Sequence, residues 1–318
     1  MATNTTTPNA APLSGSTMRR RTLWGDAWRR LIDSTAGRLG LGISLFLIVL
    51  AIFVPIVMPY DPGRDRNLRL RLVEPSWAMT AEDRTDDELG LWSLPFGADE
   101  LGRDLFIRVL HGAPISLSAG FAAVSISVLV GSLLGLLAGF IGGWVDTVAV
   151  WIMDILLAFP SILLAIVIVT ILGPGLFNAL LAVSIVEIPV FGRIARSTVL
   201  SIRSQEYITS ARAVGVPGPR ILFRHVLPNS LSPMLVQATL SIATAIINIA
   251  ALGFLGLGAE PPTPEWGTML ESGRDYVGQG KWWYTTFPGL SIMLTVLGFN
   301  LLGDGLRDAL DPRLQRSR

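Results

Sequence analysis

Apolar residues gather in six long runs, near 41–58, 115–141, 148–172, 176–191, 231–252 and 287–302, separated by segments rich in charge, glycine and proline. A helix needs about 20 consecutive apolar residues to cross a hydrocarbon core, so these runs predict six transmembrane helices and an all-α integral membrane protein. The fourth run is short and carries Pro189; the sixth carries Gly298 and Asn300. Pro160 falls inside the third run and predicts a kink there, tolerated in a membrane where neighbouring helices resupply the backbone partners. The pattern divides the chain into a basic, disordered tail (1–40), a first span (41–59), an outer loop with an interfacial helix (60–112), a five-helix core (113–305) and a C-terminal tail (306–318).

Between the fourth and fifth runs lies a polar, basic stretch, 204–229, that must stand in water. Ser204 or Gln205 is placed to start a short helix, Glu206 puts a negative charge in its first turn, and Gly215 permits the left-handed turn that ends it. Pro219 suits the first turn of a second short helix, basic residues follow to His225, and Leu227-Pro228 is expected to stop it. Ala211 and Ala213 keep the first helix slim enough for close approach by another protein, and Tyr207 offers an aromatic anchor. The plainer alternative is a capped amphipathic surface helix.

Composition narrows the class. With 51% hydrophobic and 15% charged residues and a mean hydropathy of +0.54, the chain is far more apolar than a soluble domain. A formal charge of +1 argues against a nucleic-acid partner, and the absence of cysteine excludes disulfides and thiolate metal sites. Arg19-Arg20-Arg21 invites comparison with a twin-arginine export signal, but Arg29, Arg30 and Arg38 intervene before the apolar run and no cleavage site follows. With the N-terminus inside, alternate aqueous segments carry 16 basic residues on the inner side and 9 on the outer, which places both termini and the 204–229 stretch in the cytoplasm.

The outer loop carries Glu82, Asp83, Asp86, Asp87, Glu88, Asp99, Glu100 and Asp104, read here as charge that solvates a loop outside the bilayer, with a basic partner or a cationic cargo end as the alternative. Two acids lie within the apolar runs. Asp154 is set deepest, and an ionisable group at such depth faces the bundle or a water-filled path, or else pairs structurally with Arg193 or Arg196. Glu187, close to Pro189, is a second candidate for the path.

Glu206, Ser210-Ala211 and Gly215 resemble the cytoplasmic coupling loop of bacterial ATP-binding-cassette import permeases, with Ser210 where the family often has alanine. Further blocks extend the likeness: Phe96-Gly97 with Asp99 to Asp104; Gly139 to Asp146; Ala158-Phe159-Pro160; Phe254 to Gly258 with Trp266-Gly267; Phe287-Pro288-Gly289; and Asn300 to Asp308 with Asp311-Pro312-Arg313-Leu314. Taken together they look like the second permease subunit of dipeptide and oligopeptide importers. The resemblance implies a type I importer permease fold in the bacterial cytoplasmic membrane. It implies ATPase coupling through Glu206, Tyr207, Ser210, Ala211, Arg212, Ala213 and Gly215. Its expected partners are a second permease chain, two cytoplasmic ATPase subunits or domains that bind ATP and Mg, and an extracytoplasmic substrate-binding protein; this chain itself holds no cofactor. The cargo expected is a di- or oligopeptide, with nickel chelates, glutathione-like peptides or haem as alternatives. Two departures concern the path: relatives often have Trp-Pro where Ile188-Pro189 stands, and an acidic residue and serine where this chain reads Ile249 to Gly253.

No catalytic constellation is visible. The two histidines, His111 and His225, fall on opposite sides of the predicted membrane, and no phosphate-binding GxxxxGK[ST] loop is present, so the chain itself should not hydrolyse ATP. An ion-coupled secondary transporter would show internal repeats and several charged midplane residues, of which Asp154 is the main instance.

Overall fold

The computed structural model describes residues 23–61, 63, 65–79 and 93–310. The tail at 1–18, the acids Glu82, Asp83, Asp86, Asp87 and Glu88, and the block from Asp311 lie outside the described residues. Eleven α-helices are named here: α1 (Leu23–Asp33), α2 (Thr35–Val57), α3 (Leu105–Ile141), α4 (Gly143–Leu157), α5 (Ser161–Leu172), α6 (Leu176–Arg203), α7 (Glu206–Ala213), α8 (Gly218–Ile221), α9 (Leu227–Phe254), α10 (Trp266–Val277) and α11 (Trp283–Leu310). Among the described residues five helical stretches are long and apolar enough to cross a membrane, and a sixth span results if the bent pair α4–α5 is taken as one.

The part of the basic tail that is described, from Leu23 on, is helical and not disordered. Residues from Leu23 form an amphipathic helix that lays Ala27 and Leu31 on Ala309 of α11, and the Ser34 hydroxyl accepts from Gly37 N–H at 2.9 Å to open α2 before Leu41. The tertiary contact supplies what a short isolated helix lacks. Along α2 and α11 small residues set the spacing: a Cβ on Gly305 would lie 2.5 Å from Gly37 Cα. Backbones that close gain dispersion contacts, the main attraction between helices in lipid.

Helix α3 is central, with α6 packed along it and α9 and α2 beside it. Gly131, Gly135 and Gly139 recur every fourth residue on the face toward α6; a Cβ at Gly139 would stand 2.9 Å from Val199 Cβ. The predicted interfacial helix before the second span is instead the first part of α3, which runs unbroken through Pro114. At 1.5 Å per residue α3 is about 55 Å long, so its first turns extend beyond the hydrocarbon core. They turn Leu105, Arg108 and Val109 inward and not toward lipid.

The third apolar run is broken more sharply than a kink. Helices α4 and α5 meet at 93° across Ala158-Phe159-Pro160. Pro160 has no N–H to give and biases Phe159 away from helical geometry, so α4 ends just before it. By contrast α6 continues through Pro189 to Arg203, and α11 continues through Gly298 and Asn300, both longer than their apolar runs.

Candidate coupling surface and outer charged lobe

At one end of the bundle α6 gives way to the elbow formed by α7 and α8. Gln205 stands at the N-cap in extended conformation without a side-chain cap bond, and Glu206 occupies the first turn. Its C-terminus is a complete Schellman motif. Val216 N–H donates to Ala211 C=O at 3.0 Å, Gly215 N–H to Arg212 C=O at 2.9 Å, and Gly215 has φ +81°. The two chain ends of this motif, Ala211 and Val216, both pack on the same apolar cluster.

That cluster fixes the elbow to the bundle. Ile208 of α7 is fully buried among Leu136 of α3, Val199 and Ile202 of α6, Ile221 and Val226. The other face is open: Glu206, Ser210, Arg212 and Ala213 are exposed, Tyr207 is 47% exposed, and the Tyr207 and His225 rings lie 6.1 Å apart. So the residues proposed from the sequence fall on one exposed surface, Ala211 excepted, which is half-buried.

The second half of the elbow departs from expectation. Leu227-Pro228 does not stop the helix; α8 passes through a π-helical turn, Leu222–Val226, directly into α9. In that turn Leu227 N–H bonds to Leu222 C=O, five residues back. Pro228 falls in the first turn of α9, where a missing N–H costs little, and the wider turn absorbs the change of register. The elbow is therefore continuous with the fifth long helix.

Asp154 accepts from Arg193 Nη2 at 2.6 Å, with both side chains about half exposed. Arg196 does not join them. Its guanidinium makes a bidentate pair with Asp146, at 2.5 and 2.7 Å. The two pairs tie α4 to the lower part of α6, and the second was not anticipated. Glu187 stands apart from both: it is buried between α6 and α9, where Ser241 Oγ donates to it at 3.1 Å and Gln237 Nε2 donates to Ser241 at 3.3 Å.

At the far end of α3 the three described acids of that set, Asp99, Glu100 and Asp104, are wholly or partly interior. Asp99 is fully buried; Oδ1 accepts from the Leu101 and Arg103 N–H groups at 2.8 and 2.9 Å, and Oδ2 accepts from Arg103 Nε at 2.6 Å and from Arg108 Nη1. Arg103 and Arg108 are each 4% exposed. Asp104 caps α3 through Phe106 N–H at 2.8 Å, and burial pushes its carboxyl above the usual range despite that bond. Solvation is thus the wrong reading for Asp99: Arg108 reaches it from α3 and the fold closes over both, which charge counting along a loop cannot register.

A second buried acid escaped notice in the sequence. Glu265 caps α10 through Gly267 and Thr268 N–H, each at 2.9 Å, and accepts from Ser116 Oγ of α3 at 3.1 Å. Trp266 Nε1 donates to Val109 C=O at 2.9 Å beside it. Burial raises the Glu265 carboxyl despite three bonds that favour its charge. Glu265 before Trp266 and Gly267 was an available capping signal, hidden among the prolines that precede it.

A helical bundle with an exposed polar elbow at one end and a folded polar lobe at the other fits the plan of a membrane permease. Residues 131–316 match the binding-protein-dependent transport system inner membrane component, and residues 22–75 match the N-terminal TM domain of oligopeptide transport permease C. The chain belongs to the first of these families: it is a multi-pass permease subunit of an ATP-driven importer, whose ATP hydrolysis takes place in separate subunits. It is 49% identical over 292 residues to the dipeptide transport system permease protein DppC of Alkalihalophilus pseudofirmus, covering 92% of this chain and 90% of that one. It is 45% identical to the di/tripeptide transport system permease protein DppC of Pseudomonas aeruginosa (91% and 92% covered). It is 46% identical to the glutathione transport system permease protein GsiD of Escherichia coli (93% and 92% covered). Among solved structures, inward-facing MetNI methionine ABC transporter aligns at TM-score 0.52 and 19% identity over 64% of this chain and 96% of that one, which shows the shared type I importer fold.

Proposed function

We propose that this chain forms half of a translocation path for di- or oligopeptides across the bacterial cytoplasmic membrane. A second homologous permease chain supplies the other half, and an extracytoplasmic substrate-binding protein delivers cargo. Two cytoplasmic ATPase subunits or domains bind ATP and Mg and dock on the elbow, through Glu206, Tyr207, Ser210, Arg212, Ala213 and the turn at Gly215. The identity of 45–49% to two peptide permeases over nine-tenths of the chain supports the cargo class. The single observation behind coupling is that the open face of α7 is carried on an anchor, Ile208, buried in the same cluster as α3, α6 and α9.

That anchor gives the mechanism its physical content. Closure of the ATPase pair displaces α7, and because Ile208, Val216 and Val226 pack with three long helices at once, the helices move with it. Close-packed interiors transmit displacement instead of deforming. The path then alternates between its two sides, and hydrolysis resets it.

The test is cargo-stimulated ATPase activity of the reconstituted complex. Glu206→Ala should leave assembly intact and abolish most of the stimulation, since cutting one side of an interfacial charge pair costs about 2–5 kcal/mol. Unchanged stimulation and uptake would reduce the elbow to a solvated connector. Orientation is tested separately: a cysteine replacing Ser204 should react only from the cytoplasm and one replacing Gln279 only from outside. The resemblance to a glutathione permease favours a second cargo reading. Titrating the cognate binding protein with Ala-Ala, glutathione, a nickel chelate and haem separates the cargo classes.

A further inference from the structure

The lobe encloses a half-open cavity of about 190 Å³, whose lining includes Arg66, Glu100, Arg103, Arg108, Thr268 and Ser272. Pro262 and Thr263 form a wall shared with a neighbouring apolar cleft of about 380 Å³, on whose far side stand Tyr60, Pro114 and Ile115. Asp99 next to the cavity is saturated, with two donors on each oxygen. Its neighbours are not. Arg108 Nε and Glu100 Oε2 are buried and lack a hydrogen-bond partner among the described residues, although Arg108 is 4% exposed and Glu100 keeps only a 3.5 Å contact from Arg103 to its other oxygen.

Arg108 and Glu100 both line this cavity, and each carries a buried atom without a partner; such groups are costly, and a ligand of a single charge suits only one of the two residues. An anion would answer Arg108 and Arg66 but be repelled by Glu100. A cation would do the reverse. A group bearing both charges answers both, and the apolar cleft alongside has room for a side chain next to it.

We propose that this cavity is a binding site for the zwitterionic end of a small peptide, its carboxylate held by Arg108 and Arg66 and its ammonium by Glu100. The site lies at the end of α3 opposite the elbow, so cargo released from outside meets it before entering the bundle. The inference rests on the peptide-import reading. Burial and the Asp99 carboxylate push Glu100 above the ordinary carboxylate range, against the pull of Arg108 and Arg103. A bound ammonium would add to that pull. The cavity is small compared with drug-sized pockets and selects for a short or terminal group.

The experiment is saturation-transfer NMR with Ala-Ala on the whole complex, without its binding protein, in nanodiscs of phosphatidylglycerol alone. Wild type should bind Ala-Ala, and N-acetyl-Ala-Ala and Ala-Ala-amide should bind at least tenfold more weakly. Glu100→Gln, which keeps the acceptor toward Arg103, should weaken Ala-Ala at least tenfold while leaving N-acetyl-Ala-Ala as it was; exposed Arg66→Ala provides a second variant should the first assemble poorly. No binding, binding indifferent to both variants, or equal binding of the acetylated peptide would overturn the proposal. So would N-acetyl-Ala-Ala gaining affinity in Glu100→Gln, the mark of a simple anion site, or added phosphatidylethanolamine occupying the cavity in place of Ala-Ala. Uptake driven by the binding protein is measured in parallel. Peptide uptake without Ala-Ala binding here removes this site alone, whereas Ala-Ala binding without any peptide uptake removes the import reading.

Discussion

The two ends of α3 carry polar clusters of opposite construction. At the elbow, apolar residues are inside and the charges outside: Ile208 and Val226 are buried, while Glu206 and Arg212 face water. In the lobe at the other end the charges are inside, with Asp99 holding two arginines that water scarcely reaches. An apolar anchor is tolerant of geometry and leaves a polar face free for a partner. A buried ion cluster is specified by directional bonds and is costly to disturb, since any one missing member strands the others. The first construction suits a surface that must be approached and moved, the second a support that must hold its shape.

The comparison breaks most visibly at Asp99. Asp99→Asn leaves Arg103 and Arg108 buried without a full counter-charge, and removing one partner of a buried pair costs about 3–5 kcal/mol. Purified yield and melting temperature in detergent should both drop sharply; a variant that melts like wild type would show that the lobe's charges are dispensable.

Ile208→Ala comes next. Emptying a fully buried site of this kind costs about 2–5 kcal/mol. Because the loss is confined to the elbow, the complex should still insert, while limited proteolysis should cut near 204–229 faster and cargo-stimulated ATPase activity should fall. Equal proteolysis rates would mean that α7 is held by something other than this cluster.

Smaller still is Gly215→Val. At φ +81° a side chain with a Cβ is strained by about 1–2 kcal/mol. The Schellman bonds should loosen and coupling weaken with the melting temperature nearly unchanged, readable as uptake per assembled complex. Gly215→Asn, better tolerated in the left-handed region, should recover part of the activity.

The smallest stability effect is expected from Asp154→Asn. Its partner Arg193 is half exposed, and ion pairs open to solvent contribute about 0–1 kcal/mol. Asp146→Asn should cost more, because Arg196 grips that carboxylate bidentately and both are less exposed. A larger loss of assembly from Asp154→Asn than from Asp146→Asn would reverse the assignment of structural weight between the two pairs.

Some of this was legible in the residues alone. The spans were legible because lipid demands long apolar runs, and the elbow because its start and stop depend on near neighbours: Glu206, Gly215 and Pro219 act within a turn of where they stand. The continuity of α8 with α9 was not, since Pro228 reads as a stop unless one knows that a π turn precedes it. Nor was α10, whose cap at Glu265 is completed by Ser116, 149 residues away.

The sequence by itself determined the class of protein, the number of apolar segments and the two ends of the elbow's first helix, because hydrophobic length, capping and left-handed glycine are local properties. Only the tertiary structure decided which charges are interior. In sequence Asp99 is one of a run of outer-loop acids; what sets it inside is that Arg108 arrives from the next helix and the folded lobe excludes water around them both. Burial and pairing belong to the assembled chain, and a residue's own neighbours in sequence do not carry them.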